Sequence, residues 1–164
     1  MSHLSSFRMF PSAAQAILRL NQAKLPVIVI TNQSGIARGY FPESLVSAVH
    51  ELMTTQLAKE GANVDALYYC PHKEDDSCAC RKPKPGMLES AAREHGLDLR
   101  RSFIVGDRYS DIELAHRVGA RAILVRTGYG EREMQQHSTK WPAPPDFVAE
   151  DLGAAAEWIL RQPK

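Results

Sequence analysis

Apolar runs rich in β-branched residues alternate along the chain with segments in which apolar residues recur at every third or fourth position. Runs of the first kind are typical of buried strands, and segments of the second kind are typical of amphipathic helices. The pattern predicts strands over residues 26–31, 66–70, 102–107 and 121–125, and a short strand near Phe147. It predicts helices over residues 11–23, 42–60, 85–95, 110–118 and 152–161.

Strands and helices that alternate in this way indicate a parallel sheet covered by helices on both faces. The predicted fold class is α/β, with a Rossmann-like, doubly wound sheet in a single domain over residues 1–164. Residues 26–31 are apolar almost throughout, so we expect this strand to be buried on both faces. A capping box of Ser110 and Glu113 is expected to start the fourth helix, and a long loop to precede Phe147.

Composition narrows the possible function classes. The chain has 164 residues, 44% of them hydrophobic, which is enough for one core. Its net charge of +1, with cations and carboxylates interspersed, gives no reason to expect nucleic acid or an acidic membrane surface as a partner. No apolar run approaches the roughly 20 residues that span a bilayer, and the first residues do not resemble a signal peptide. We therefore predict a cytoplasmic protein, and a monomer.

All three cysteines fall within eleven residues that also contain a histidine. An odd, clustered set argues against a disulfide framework. Three thiolates and one imidazole suit a tetrahedral, structural Zn2+ site, which would hold a loop that has little apolar material of its own. Buried free thiols beside a surface histidine are the alternative. The predicted zinc ligands are Cys70, His72, Cys78 and Cys80.

Polar residues that could handle a phosphate group follow three of the predicted strands. Hydroxyls and amides follow the first, fixed positive charge follows the cysteine loop, and an aspartate that could bind Mg2+ ends the third. Ordinary turn chemistry, a solvated basic stretch and a helix cap are the alternatives for the three groups. The residues are Thr31, Asn32, Gln33 and Ser34; Arg81, Lys82 and Lys84; and Asp107, Arg108 and Asp111.

Four segments carry a family resemblance: TNQSGIARGYF, CPH…CACRKPKPGM, GDRYSDIE and ILVRTGYG, in this order. Together they resemble the zinc-containing sugar-phosphate phosphatases of the haloacid dehalogenase superfamily, subfamily IIIA, over about residues 10–130. The resemblance implies an Mg2+-dependent phosphomonoester hydrolase. The implied substrate is D-glycero-D-manno-heptose 1,7-bisphosphate, which would lose its 7-phosphate, and histidinol phosphate is the second possibility.

The resemblance also implies roles for individual residues. Lys82 would neutralise charge on the phosphoryl oxygens and on an attacking aspartate, and Asp107 would be an Mg2+ ligand. The four residues of the cysteine loop would bind zinc. The residues implied to bind the substrate, a small sugar phosphate, are Thr31, Asn32, Gln33, Ser34, Arg81 and Arg108.

One motif of the family is missing from the sequence. In the family, the first aspartate of a D-x-D-G-T motif attacks phosphorus and the second acts as general acid and base. The first aspartate of this chain is Asp65, so neither residue is present before the strand at 26–31. We expect the strand that carries the motif, the central one of the family's sheet, to be absent too, and residues 1–164 to have no phosphatase activity. Strands on either side would pair directly, residues 1–10 would fill the gap, or the fold would be marginal.

Three hypotheses account for the missing motif. The sequence derives from a working phosphatase whose start was placed too late, or it is a relative that binds a sugar phosphate or a partner without hydrolysis, or it is a histidinol-phosphate phosphatase shortened in the same way. We favour the first, because relaxed selection would have eroded some of the remaining site residues.

Overall fold

Five strands alternate with six α-helices within residues 3–163, which the computed structural model describes. The strands are β1 Ile28–Asn32, β2 Ala66–Cys70, β3 Phe103–Gly106, β4 Arg121–Val125 and β5 Phe147–Ala149. The helices are α1 Ala13–Gln22, α2 Glu43–Lys59, α3 Gly86–His95, α4 Tyr109–Val118, α5 Gly130–His137 and α6 Leu152–Leu160. Of the helices in this part of the chain, none is long and apolar enough to cross a membrane.

The strands form two parallel sheets. In the first, β1 pairs with β2, and Ile28 lies opposite Ala66. In the second, β4 lies between β3 and β5, with Phe103 opposite Arg121 and β5 paired to the second half of β4. The α/β class with parallel strands is therefore confirmed.

The sheets do not join between β1 and β3. These two strands form no ladder with each other, and residues 3–10 contribute a 3-10 turn at Leu4–Ser6 but no strand. In the described residues, β1 and β3 therefore do not pair directly, and the first residues do not fill the gap as a strand.

The expectation that β1 is buried on both faces is wrong. All five of its residues are only half-buried, although the strand begins with Ile28, Val29 and Ile30. Apolar strands are usually buried on both faces when they lie inside a parallel sheet, and within residues 3–163 β1 pairs with a strand on one edge alone. Periodicity identified the strand correctly but could not count its neighbours.

The largest part of the core lies around β4. Side chains of successive strand residues point to opposite faces of the sheet. Leu124 accordingly packs with α4 residues such as Ile112, whereas Ile123 packs with Ile159 of α6 on the other face. Leu124 and Ile123 are fully buried, so the three-stranded sheet carries the main part of the core.

The long loop predicted before Phe147 contains α5, so that part of the prediction is wrong. The sequence of α5, GEREMQQH, has a single large apolar residue, Met134, and therefore shows no apolar stripe. Contacts outside the helix and charge pairs hold it instead. Glu131 pairs with Arg126 and accepts a hydrogen bond from Gln135, and a Cβ on Gly130 would lie 1.7 Å from the carbonyl oxygen of Val125.

The start of α4 also differs from the expectation. The helix begins at Tyr109, and the Oδ2 atom of Asp111 accepts a 3.2 Å hydrogen bond from the backbone N–H of Arg108. Ser110 therefore lies inside the first turn and does not cap it. The capping contact lies two residues earlier than predicted, at Arg108 and Asp111.

Replacement of Leu124 by alanine should expose how much stability the β4 core supplies. We expect Leu124→Ala to lower the free energy of unfolding by about 2–5 kcal/mol, because the site is too well packed to collapse around the cavity. The matched control is Leu25→Ala, at a leucine that is 37% exposed, with an expected change within about 0.5 kcal/mol. Urea denaturation of both variants measures the difference, and equal losses would contradict this account of the core.

Candidate functional site

The ammonium group of Lys82 lies between the two sheets. Its Nζ atom is 2.7 Å from Oδ1 of Asp111 and donates a 3.3 Å hydrogen bond to the carbonyl oxygen of Ile30 in β1. The side chains of Lys82 and Asp111 are only 14% and 7% exposed. Lys82 therefore connects the end of β1 with the loop that follows β3.

The backbone of Lys82 is fixed by Asn32, the last residue of β1. Oδ1 of Asn32 accepts from the backbone N–H of Lys82 at 3.0 Å, and Nδ2 donates to the carbonyl oxygen of Lys82 at 3.2 Å. This double contact uses one donor and one acceptor of the side-chain amide. Asn32, predicted to bind the substrate, thus has a visible second task, which is to hold Lys82 against β1.

Thr31, Gln33 and Ser34 lie at the end of β1 and in the turn that follows. The hydroxyl oxygen of Thr31 accepts a 3.1 Å hydrogen bond from Nε2 of Gln33, and the carbonyl oxygen of Ser34 accepts from the backbone N–H of Arg38. Gly35 allows the turn to pack closely, since a Cβ there would lie 2.2 Å from the Phe41 ring. All three predicted residues are half-buried beside the contact of Asn32 with Lys82.

Asp111 anchors the other side of Lys82. It is 5% exposed, and besides the lysine it contacts the backbone N–H of Arg108. A Cβ on Gly106 would lie 2.3 Å from its Oδ2 atom, so the close approach of this carboxylate to the end of β3 requires glycine there. The sequence grouped Asp111 with the polar residues of this loop but assigned it no role in the site. Its capping position, three residues after Arg108, was the available signal.

Asp107 and Arg108 both lie against the loop between β4 and α5. Oδ2 of Asp107 accepts a 2.9 Å hydrogen bond from the backbone N–H of Tyr129, so Asp107 does not cap α4. The guanidinium of Arg108 lies 3.8 Å from the centroid of the Tyr129 ring, and its Nη1 atom is 3.8 Å from Oε1 of Glu133. The Arg108 side chain is 49% exposed and open to a ligand.

The basic stretch after the cysteine loop is not freely solvated. Arg81, whose side chain is 18% exposed, donates to the carbonyl oxygen of His72 and forms an ion pair with Glu74. Glu74 also binds Arg38, at 2.6 Å. Its own backbone N–H and the two guanidinium groups lower the pKa of Glu74, so it is ionised at neutral pH. Glu74 thereby connects the cysteine loop with the turn after β1.

The four predicted metal ligands lie together. The donor atoms of Cys70, His72, Cys78 and Cys80 are all within 4.8 Å of one another. Sγ of Cys70 is 3.6 Å from both Nδ1 of His72 and Sγ of Cys78, and Nδ1 of His72 is 3.3 Å from Sγ of Cys80. This donor set suits zinc, which at about 2.3 Å from each sulfur would hold Cys70 and Cys80 further apart than their present 2.9 Å.

The surroundings shift the pKa values of Cys70 and Cys78 in opposite directions. Burial, followed by the hydrogen bond with Cys80, raises the pKa of Cys70 to about 12. At Cys78 burial acts in the same direction but is outweighed by the backbone N–H of Arg81 and by Cys80 and Cys70, which lower the pKa to about 6. A dication among the three sulfurs would favour the thiolate form of each.

Magnesium fits the described residues less well. Within residues 3–163, three or more possible metal ligands come together only in the cysteine–histidine set. Asp107 is not close to two further ligands of this kind in the described part of the chain. A single carboxylate supplies one position of the octahedral shell that Mg2+ requires. These residues alone therefore do not complete a magnesium site.

The fold and the phosphate-compatible strand ends define a haloacid dehalogenase-type hydrolase, and residues 79–155 match the HAD-hydrolase-like family. The chain is 42% identical over 152 residues to the D-glycero-beta-D-manno-heptose-1,7-bisphosphate 7-phosphatase of Pseudomonas aeruginosa, covering 92% of this chain and 83% of that protein. Its identity to the enzyme of the same name from Bordetella bronchiseptica is 43%, covering 93% and 83%. The chain therefore belongs to the D-glycero-D-manno-heptose-1,7-bisphosphate 7-phosphatase family, which confirms the resemblance seen in the motifs.

Solved structures agree with this assignment. The D,D-heptose 1,7-bisphosphate phosphatase of Bordetella bronchiseptica, complexed with magnesium and phosphate, superimposes with a TM-score of 0.89 at 41% identity, covering 98% of this chain and 88% of that one. The phosphatase of the same name from Burkholderia thailandensis gives 0.75 at 29% identity, covering 97% and 90%. Membership of a phosphomonoester hydrolase family is thus supported by sequence and fold together.

Removal of the Asp111 carboxylate should be costly. We expect Asp111→Ala to lower the free energy of unfolding by about 3–5 kcal/mol, because it leaves a mostly buried ammonium without its partner. Glu113→Ala in the same helix is the control: it breaks an exposed ion pair with Arg117, for which about 0.5 kcal/mol is expected. Chemical denaturation compares the two variants. Similar losses would mean that the Lys82–Asp111 pair does not hold the sheets together.

Proposed function

We propose that the strand-end site around Lys82 serves the hydrolysis of the 7-phosphate of D-glycero-D-manno-heptose 1,7-bisphosphate. The position of the Lys82 ammonium, where the loops after β1 and β3 meet, carries the proposal. The names of relatives at about 42% identity support the substrate. No described contact favours histidinol phosphate, the second substrate expected from the sequence.

Different residues around Lys82 would bind different parts of a bisphosphate. Lys82 has one ammonium hydrogen left after its contacts with Asp111 and Ile30, and it would donate this to a phosphoryl oxygen. The half-buried hydroxyl of Thr31 is the neighbouring donor. Arg81 and Arg108 would bind the remainder of the bisphosphate.

The same residues do not supply a nucleophile. Asp111 is occupied by Lys82 and by the backbone N–H of Arg108, and Asp107 accepts from Tyr129. No aspartate precedes Asp65 in residues 1–164. We infer that residues 1–164 by themselves bind the substrate without releasing phosphate, and that hydrolysis at this site needs an aspartate that these residues do not supply. Asp107 would hold one position of Mg2+, which when bound neutralises phosphoryl charge.

Binding and turnover test these two inferences separately. We expect Lys82→Met to weaken the binding of the heptose bisphosphate at least about tenfold, since a hydrogen bond from a charged donor is lost. The control is Lys59→Met, at an exposed lysine at the end of α2, with unchanged affinity. Calorimetric titration gives both values. Unaltered affinity of Lys82→Met would contradict the site, and Mg2+-dependent phosphate release that Asp107→Asn abolishes would contradict the predicted inactivity.

We further propose that the cysteine–histidine set binds one structural zinc ion. The donor types and their mutual distances support zinc over a harder cation. All four donors belong to the protein, so no position is left for a substrate or water, which favours a structural over a catalytic role. A monomeric, cytoplasmic protein without nucleic-acid or membrane partners completes the proposal, and the near-zero net charge supports it.

Metal analysis of histidine variants tests the zinc proposal. The unaltered chain should retain one zinc, and His72→Ala should lose it together with several degrees of Tm, because the loop has few apolar contacts to replace the ion. His116→Ala, at an exposed histidine in α4, should keep both. Mass spectrometry under native conditions and thermal melts provide the data. A His72→Ala protein that retains a full equivalent of zinc would refute the assignment.

A further inference from the structure

Tyr129 lies in the loop between β4 and α5, and the backbone of this loop is tightly held. The N–H of Tyr129 donates to Oδ2 of Asp107 at 2.9 Å. A glycine stands on each side of the tyrosine. A Cβ on Gly128 would lie 2.2 Å from Oδ2 of Asp107, and one on Gly130 would lie 1.7 Å from a backbone oxygen of β4. Backbone contacts that do not involve the ring therefore fix the position of Tyr129.

One face of the Tyr129 ring carries the guanidinium of Arg108. The tyrosine is 50% exposed, and the central carbon of the guanidinium lies 3.8 Å from the ring centroid. A guanidinium nitrogen is about 1.3 Å from that carbon, so an end-on approach would bring a nitrogen to about 2.5 Å from the ring, which is closer than van der Waals contact. The guanidinium of Arg108 therefore stacks face to face on the ring.

Stacking leaves the hydrogen-bond donors of Arg108 available. The N–H groups of a guanidinium lie in its plane, so a ring on its face blocks none of them. Glu133 of α5 stands beside Nη1, and their 3.8 Å separation is too long for a hydrogen bond. Because about half of the Arg108 side chain is exposed, the edge formed by Nε and Nη2 can donate two hydrogen bonds to one phosphate group.

A ring that holds Arg108 before a ligand arrives also lowers the cost of binding. An arginine has several rotatable bonds, and a solvated arginine loses much of this freedom when it binds an anion. Arg108 lies in the same loop as Asp111, which pairs with the Lys82 ammonium. The ring therefore prepares a second phosphate donor in the loop that already holds the first.

We propose that Tyr129 is a positioning residue of the strand-end site, whose ring holds Arg108 so that Nε and Nη2 bind the phosphate group that Lys82 does not bind. This role rests on the proposed function of the site. It requires an aromatic ring at position 129 but not the hydroxyl, because the attraction for a cation comes from the face of the ring.

Calorimetric titration of the full 164-residue chain with the heptose bisphosphate tests the role of the ring. We expect Tyr129→Leu to weaken binding about three- to fivefold, which corresponds to the loss of one cation–π contact at a partly exposed site. Tyr129→Phe keeps the ring and should bind within about 1.5-fold of the unaltered chain. Both variants keep the backbone N–H that Asp107 accepts, so the loop stays in place.

A double-mutant cycle with Arg108 separates positioning from support of the loop. In the Arg108→Met background, Tyr129→Leu should change the affinity less than about 1.5-fold, because the group that the ring positions is gone. A ring that only supported the loop would cost the same factor in both backgrounds.

Three results would overturn the proposal. Tyr129→Leu could bind as tightly as the unaltered chain, Tyr129→Phe could lose as much affinity as Tyr129→Leu, or the loss could be equal with and without Arg108. Lys82→Met in the same titrations reads the proposed function independently. Weaker binding of Lys82→Met with unaltered binding of Tyr129→Leu contradicts the role of Tyr129 and leaves the proposed function standing, whereas unaltered binding of both contradicts both.

Discussion

The contact on which the rest of the structure depends is that of the Lys82 ammonium with the Asp111 carboxylate. Removal of two charges from water costs several kcal/mol, and only close, well-directed contacts offset this. The 2.7 Å ion pair, the Ile30 carbonyl and the clamp of Asn32 on the lysine backbone supply them. Because the same lysine is the proposed phosphate donor, the connection between the sheets and the proposed binding of an anion depend on one group.

The sequence predicted those features whose cause is local. β2 and β4 were placed at their observed bounds, since each is a short apolar run bounded by turns. The cysteine–histidine cluster was predictable because its four ligands lie within eleven residues. The helix α5 was missed, because Met134 is the one large apolar residue in its sequence and the close approach of Gly130 to Val125 leaves no trace in the periodicity.

The sequence grouped most of the candidate site's residues but did not predict their arrangement. Parallel strands bring their carboxyl ends to one edge, which was sufficient to group the loops after β1 and β3. The partners of each side chain come from distant segments: Asp107 is held by Tyr129, and Lys82 by Asp111. Asp111, and not Asp107, faces the lysine because Asp111 packs closely against Gly106. The spacing of residues in a motif does not predict a packing contact of this kind.

The donor count of Lys82 limits what the lysine can offer to a ligand. An ammonium has three hydrogens, of which Asp111 takes one and the Ile30 carbonyl a second. One donor is therefore left for a phosphoryl oxygen in the proposed site. Because Asp111 is buried and Asn32 holds the backbone of the lysine, the direction of this donor is fixed before a ligand binds. Binding then costs less side-chain entropy than it would at a solvated lysine.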